Sequence, residues 1–111
     1  MEPEDVDDIA EMIPGTFTVS FESLTDTDTW ADPVDVEYVE KRPARSSDRM
    51  MAEGGVRVTI ARFHFWTKWL DGVEPKPGDR FTDDKGVKWT IQNADEEQAG
   101  RRWATVCIKN R

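Results

Sequence analysis

The feature that most constrains the fold is an alternation of apolar and polar residues along much of the chain. Successive side chains of a β-strand point to opposite faces, so a period of two indicates a strand with one buried face. One such segment is FTVSF, residues 17–21. A second is VDVEYVEKR, residues 34–42, in which Val34, Val36 and Tyr38 fall on one face. The alternation therefore predicts two half-buried strands.

The strongest strand pattern is VRVTIARFHFW, residues 56–66, which we expect to pair with the strand before it. Its apolar residues change parity after Ile60, because Phe63 and Phe65 fall on the opposite face. A β-bulge near residues 61–62, or burial on both faces, would explain the change.

The C-terminal third predicts two hairpins and completes a β fold. DRFTD and VKWTIQN flank a turn in which Gly86 supplies the positive φ of a tight turn, and NADEEQAG then leads into a closing strand, RRWATVCIK. Five or six strands predict a mainly β protein, a small antiparallel β-barrel or sandwich. A chain of 111 residues has room for one such core, and it contains no apolar run of about 18 residues to span a membrane.

The start of the chain has a different period. Val6, Ile9 and Ile13 follow helical spacing in an acidic segment that Pro14-Gly15 ends, so a short amphipathic helix is predicted there. We therefore divide the chain into an acidic N-terminal arm with this helix, residues 1–15, and a single β-barrel domain, residues 16–111.

The barrel domain carries a long central hairpin loop, residues 43–55, and loops of that length are usually functional or disordered. Fork-shaped Arg and adaptable Met side chains suit a contact that becomes ordered on docking. A mobile loop tip is the alternative interpretation. The candidate interface residues of this loop are Arg42, Arg45, Arg49, Met50 and Met51.

Charge is divided unequally along the chain. Residues 1–40 contain thirteen Asp and Glu and no Lys or Arg, whereas residues 41–111 contain ten acidic and fifteen basic residues, so the two parts carry −13 and +5. Clustered carboxylates repel phosphates and oppose nucleic-acid binding by the first part. The division would suit subunits that meet acidic part to basic part, while a solvated acidic tail is the simpler interpretation. The candidate arm or lumen-facing acidic residues are Asp5, Asp7, Asp8, Asp26 and Asp28.

No set of residues predicts an active site, so we expect a protein that is not an enzyme and needs no cofactor. A nucleophilic pair of Cys107 and His64 is conceivable, but both lie in predicted strands and a packed thiol is the more ordinary role for a lone Cys. The same two residues are too few for a structural zinc site. The acidic loop of residues 23–33, which we expect Trp30 to anchor, lacks the Gly and the bidentate Glu of an EF-hand.

Five Trp residues are many for a chain of this length. Exposed aromatic platforms bind carbohydrates or stack on bases, and Trp66 and Trp69 are candidates for such a platform. The alternative is that Trp89 and Trp103 belong to the core, while Trp66 and Trp69 pack under a loop or at a protein interface.

The C-terminal segment from Pro77 onward resembles the last part of head-tail connector proteins of tailed phages, which are called head-closure, stopper or head-tail joining proteins. In these proteins a Pro-Gly-Asp turn leads to a strand, then to an Asp-x-x-Gly-x-x-Trp hairpin and a final mixed strand. Residues 77–79, Asp83 to Gly86, Trp89 and the strand 101–109 occupy those places, about a third of the chain.

The resemblance implies a β-barrel that forms a hexameric or dodecameric ring in the neck of the virion, assembled in the host cytoplasm. Its expected neighbours are a portal or adaptor ring and a tail terminator or tail tube protein. DNA would pass through the lumen without specific binding, and no membrane would be involved. Two other hypotheses remain open, a small carbohydrate- or protein-binding β module and an acidic inhibitor that mimics DNA.

Overall fold

A computed structural model describes residues 15–44 and 59–110 of the chain. The predicted N-terminal helix lies outside these residues, as do Asp5, Asp7, Asp8, Arg45, Arg49, Met50 and Met51. The described elements are β1 (Phe17–Glu22), β2 (Leu24–Asp26), β3 (Thr29–Trp30), β4 (Val34–Pro43), β5 (Ile60–Trp66), a 3-10 helix (Thr67–Leu70), β6 (Arg80–Thr82), β7 (Lys88–Glu97) and β8 (Arg102–Lys109). Within this part of the chain, no helix is long and apolar enough to cross a membrane.

The predicted fold class is confirmed, because six strands form a closed antiparallel barrel in the order β1-β4-β5-β8-β7-β6. Closure pairs β6 with β1 as well as with β7, so the short β6 strand completes the wall. The remaining strands, β2 and β3, form a two-stranded ribbon beside the barrel.

The barrel interior is filled by aromatic side chains from several strands. Phe63 lies at its centre, with its ring centroid 4.8 Å from that of Phe81, 4.9 Å from that of Trp89 and 6.3 Å from that of Phe17. All three contacts are edge-to-face, an arrangement that adds about 0.5–1.5 kcal/mol per pair beyond the burial of area. Residues with alternating parity on each strand supply these rings, as the sequence pattern requires.

Strand β4 does not follow the predicted alternation. Tyr38 has a positive φ of 58°, and the β1–β4 register steps from Val19↔Val36 to Phe17↔Val39, so two residues on β4, Glu37 and Tyr38, oppose one on β1, Thr18. This bulge turns Val36 and Val39 into the core and leaves Val34 45% exposed. The prediction that Val34, Val36 and Tyr38 share a buried face is therefore wrong.

Strand β5 is regular, so the first of the two explanations for the change of parity, a bulge near residues 61–62, is wrong. Its pairing with β8 runs without interruption from Ile60↔Ile108 to Trp66↔Arg102. A bulge lies in β7 instead, where Ile91 pairs with Cys107 and Asn93 with Val106, which leaves one extra residue between them. Beyond this bulge β7 continues to Glu97, so most of the segment expected to connect the last two strands is itself strand.

The Pro-Gly-Asp turn before β6 ties the ribbon to the barrel. The Asp79 side chain is fully buried and accepts hydrogen bonds from the backbone N–H of Leu24 at 2.7 Å and of Lys76 at 3.0 Å. Gly78 has a φ of 95°, and a Cβ atom there would lie 2.6 Å from Leu24 Cδ2. Only glycine therefore fits this close approach without a shift of Leu24.

The barrel has two distinct ends. The loop end carries the start of β1, the long hairpin loop between β4 and β5, the β6–β7 turn and Asn110. The ribbon end carries the β2–β3 ribbon, the 3-10 helix and the β7–β8 turn. A hydrogen bond from Thr67 N to Arg101 O, at 2.9 Å, joins the 3-10 helix to the β7–β8 turn.

Candidate interaction surfaces

The ribbon end is acidic and firmly held. Trp30 Nε1 donates a hydrogen bond to Gly78 O at 3.1 Å, and the Arg80 guanidinium lies 3.7 Å from the centroid of the Trp30 ring. The prediction that Trp30 anchors this segment is confirmed, although the segment folds as a ribbon and not as an irregular loop. The exposed acidic residues at this end are Asp26, Asp28, Asp32, Asp35, Asp71, Glu74 and Glu96, against exposed Lys68 and Lys76.

Two acidic residues predicted as candidates, Asp26 and Asp28, lie at the tip of the ribbon. Both are exposed, and Asp26 Oδ1 accepts a hydrogen bond from Thr27 N at 2.7 Å. Asp28 has a φ of 61°, a conformation that Asp adopts more readily than most residues. Their carboxylates are thus presented to solvent by a short, well-defined turn.

The described part of the loop end is basic. The β7–β8 pairing sets Trp89 opposite Lys109, and the Lys41 ammonium lies 4.9 Å from the centroid of the Trp89 ring, so these cations share one region. Arg42, the one predicted loop residue in the described part, is exposed here and its Nη2 lies 3.3 Å from Glu40 Oε2. Among the described residues, the exposed basic side chains of this end are Lys41, Arg42, Lys85, Lys88 and Lys109, against exposed Asp84.

An open cavity of about 330 Å³ lies at the loop end. Its lining is largely apolar with two cations at the edge, and consists of Lys41, Arg42, Pro43, Thr59, Ile60, Ala61 and Trp89. Sequence reasoning missed this cavity, because it assigned Trp89 to the core alone.

Trp66 and Trp69 do not form an exposed platform. Trp66 is only 4% exposed and packs with Tyr38 and Trp69, and the Tyr38 and Trp69 ring centroids are 4.8 Å apart. The indole Nε1 atoms of both Trp residues are buried without a hydrogen-bond partner. Burial of Trp66 contradicts the exposed pair of rings that the carbohydrate-binding hypothesis requires. Trp69, half-buried at the ribbon end, stays a candidate contact residue.

A buried acidic residue that sequence reasoning missed lies on the outer wall of the barrel. Glu40 is 5% exposed, and its Oε2 lies 3.6 Å from His64 Nδ1 while its Oε1 has no hydrogen-bond partner. Burial lowers the pKa of His64, and the nearby Arg102 guanidinium lowers it further, against the opposing effect of Glu40. The strand pattern carried no signal that the side chain at position 40 is covered.

Cys107 and His64 do not form a nucleophilic pair. Cys107 lies inside the barrel against Thr105 Oγ1 at 3.3 Å, whereas His64 points outward from β5 beside Glu40. Burial raises the pKa of the Cys107 thiol to about 12, which keeps it protonated at neutral pH.

The described residues also bring no metal site together, since they contain no group of three His, Cys, Asp or Glu side chains arranged to hold an ion. Trp103, expected in the core, is half-buried and packs against the core from its edge. In the comparisons with known proteins, no family model, curated protein or solved structure matches this chain.

Proposed function

We propose that this protein is a structural subunit that assembles with copies of itself, ribbon end against loop end, into a ring in the neck of a tailed phage. The observation that carries the proposal is the opposite charge of the described residues at the two ends of one closed barrel. Residues near the ribbon, such as Asp32 and Asp35, are acidic and exposed, whereas Lys88 and Lys109 at the loop end are basic and exposed.

Association of unlike ends gives a heterologous interface, which closes into a ring when the rotation between subunits allows it. Complementary charge steers such subunits together and fixes their orientation, while like ends repel each other. An ion pair within one end does not contribute to the attraction between subunits, because its two charges neutralise each other. Arg102 and Glu97 form such a pair at the ribbon end, with Arg102 Nη2 2.7 Å from Glu97 Oε1.

Placement of the ring in a phage neck rests on the resemblance of the C-terminal hairpin. The fold is compatible with it, because the residues of that pattern stabilise the barrel: Asp79 holds the ribbon and Asp83 holds Trp89. The proposed neighbours are a portal or adaptor ring on one side and a tail terminator or tail tube protein on the other. Exposed Asp26 and Asp28 would then line a lumen through which DNA passes without binding.

A charge-exchange experiment tests the assembly. One variant carries Asp32→Lys with Asp35→Lys at the ribbon end, and the other carries Lys88→Glu with Lys109→Glu at the loop end. Each variant alone should be monomeric in native mass spectrometry, because its two ends now repel. An equimolar mixture should form rings with an even number of alternating subunits, because the altered ribbon end of one variant complements the altered loop end of the other, and the two unaltered ends complement each other as before.

A control variant, Glu37→Lys with Asp95→Lys, reverses as many charges as the ribbon-end variant at exposed positions outside the two charged sets and should assemble like the original chain. Raising the salt to about 0.5 M should weaken every assembly, because exposed charges are screened. If both end variants assemble like the original chain, or the mixture stays monomeric with or without a portal or tail ring, the proposal is wrong.

A further inference from the structure

The cavity at the loop end is open to a ligand and has a mixed chemistry. Trp89, itself 2% exposed, forms part of its wall together with Ile60 and Pro43, while Lys41 and Arg42 stand at the edge. An occupant that fits must offer apolar side chains to the wall and anionic groups to the two cations.

The edge of the barrel beside this cavity is incompletely paired. β4 continues past Val39 to Pro43, and its residues from Glu40 onward pair with β5. On the other side of β4, the pairing with β1 begins only at Phe17↔Val39. Among the described residues, the segment of β4 that borders the cavity therefore has no partner on that side.

The chain enters the barrel at this same place. Phe17 is the first residue of β1, and its ring lies 6.3 Å from that of Phe63, which is the register partner of Lys41. Gly15, just before it, has a φ of 85°, which directs the chain through a turn. The N-terminal arm, residues 1–14, therefore leaves the barrel next to the rim of the cavity.

The sequence of the arm has the chemistry that the cavity requires. It contains six acidic residues and no Lys or Arg, together with Val6, Ile9 and Ile13 at spacing that places them on one side of a helix. A segment tethered by so few residues has an effective concentration on the order of millimolar at a neighbouring site, which favours its own barrel over that of another molecule.

We propose that the loop-end cavity is the binding site of the acidic arm, residues 1–14, of the same chain. Apolar side chains of the arm enter the space beside Trp89, and its carboxylates face Lys41 and Arg42. Binding of the arm to this cavity does not depend on ring formation. If the protein does form rings, the arm and the acidic ribbon end of a second copy compete for the same basic end.

A labelled peptide of residues 1–14 tests the site by fluorescence anisotropy. The full chain should bind it weakly, because its own arm occupies the cavity. A full-length arm variant, Asp7→Lys with Asp8→Lys and Ile9→Ser, should bind it at least about tenfold more tightly, since the weakened arm leaves the cavity accessible.

Two matched changes in the arm variant locate the binding. Lys41→Glu with Arg42→Glu should reduce peptide affinity at least about tenfold, whereas Lys68→Glu with Arg101→Glu at the ribbon end should leave it within about twofold. A peptide of the same composition with its apolar residues scrambled should bind at least about tenfold less tightly.

The inference is overturned if the arm variant shows no binding up to about 1 mM peptide. It is also overturned if the full chain and the arm variant bind equally, because the arm would then not occupy its own barrel. The inference is likewise overturned if peptide binding does not change when Lys41 and Arg42 are replaced, or when the apolar residues of the peptide are scrambled. None of these results depends on ring formation, so the assembly proposal is tested separately by the charge-exchange mixture.

Discussion

Asp83 and Trp89 are joined across the β6–β7 turn by a hydrogen bond from the indole Nε1 to Asp83 Oδ2 at 3.0 Å. The other carboxylate oxygen, Oδ1, accepts hydrogen bonds from the backbone N–H of Lys85 and of Val87, both at 2.9 Å. One side chain therefore closes the turn and fixes the orientation of a core ring, while Gly86, with a φ of 80°, allows the chain to reverse.

Replacement of this carboxylate should destabilise the barrel. We expect Asp83→Ala to reduce the free energy of unfolding by about 2 kcal/mol, because three donors lose a charged acceptor. Urea denaturation followed by circular dichroism measures the change, and Asp84→Ala, at an exposed neighbouring position, is the matched control with a change of less than about 0.5 kcal/mol. Equal stability of the two variants would contradict the role given to Asp83.

The same residue predicts an acid-dependent loss of stability. Burial opposes ionisation of Asp83, but the hydrogen bonds from Trp89, Val87 and Lys85 outweigh it and hold its pKa below the ordinary value of 3.8. Because the folded pKa is the lower one, the contribution is complete above the unfolded pKa and disappears as the pH falls through the folded pKa. Asp83→Ala should therefore lose less stability than the original chain between about pH 5 and pH 3.

The sequence predicted the class of fold because alternation is a local signal. Phe17, Phe21, Phe63 and Phe65 point inward as their parity requires, and six strands with tight turns leave few architectures. The register was not predictable, since the bulge at Tyr38 puts an aromatic residue in a left-handed conformation that its own preferences disfavour. Packing of that ring on Trp69, with centroids 4.8 Å apart, depends on residues distant in sequence.

The sequence predicted which kinds of residue the candidate interaction surfaces contain, but not where those residues lie on the barrel. Charge counts separated an acidic from a basic part of the chain, but only the strand order shows that the exposed acidic residues near the ribbon and the exposed basic residues near Lys41 and Lys109 lie at opposite ends of one barrel. Burial of Asp79 and of Glu40 was not predicted, because nothing in the local sequence indicates that the ribbon covers the first and the wall residues enclose the second. Burial of polar groups is decided by tertiary contacts, which a period of two does not encode.

Among the acidic residues of the ribbon end, Asp79 is expected to cause the largest loss of stability when it is replaced. Asp79→Ala removes the acceptor of Leu24 N and Lys76 N and the ion pair with Lys76 Nζ at 3.2 Å, and should reduce the free energy of unfolding by about 3 kcal/mol. Urea denaturation measures it, and Glu74→Ala nearby on the surface provides the comparison. A loss below about 1 kcal/mol would show that the buried carboxylate does not hold the ribbon.

Gly78→Ala tests the close approach of the turn to the ribbon independently of charge. The added methyl group meets Leu24 Cδ2 and must also adopt a φ of 95°, so we expect a loss of about 2 kcal/mol. Combining it with Leu24→Ala removes the steric contact but leaves the backbone strain. The double variant should then show less than the sum of the two single losses, and strict additivity would contradict the proposed contact.

Burial in the folded barrel should protect the Cys107 thiol from alkylation. Its thiol is fully buried between β7 and β5, and burial raises its pKa to about 12. We expect alkylation of the native protein at least about a hundredfold slower than alkylation of the urea-unfolded chain, because reaction requires opening of the barrel. The chain has a single Cys, so the measured rate belongs to this residue, and fast native labelling would contradict a closed wall at β8.

His64 should make the barrel less stable in mild acid. Its folded pKa lies below the ordinary value of 6.5, first because it is buried and then because Arg102 and, more weakly, Arg42 repel a proton, while Glu40 and Glu97 oppose them. The unfolded chain therefore takes up a proton at a higher pH than the folded chain does. Stability from neutral His64 is complete above the unfolded pKa and is lost as the pH falls through the folded pKa.

Urea denaturation at about pH 7.5 and about pH 5.5 measures this effect, and His64→Gln, which cannot take up the proton, is the comparison. When the pH is lowered from about 7.5 to about 5.5, the original chain should lose more stability than the His64→Gln variant does. Glu40→Gln removes the carboxylate that favours the protonated ring, so it should enlarge the loss. If the original chain and His64→Gln respond equally to pH, proton uptake by His64 does not oppose folding, and the attraction of Glu40 compensates the burial of the ring.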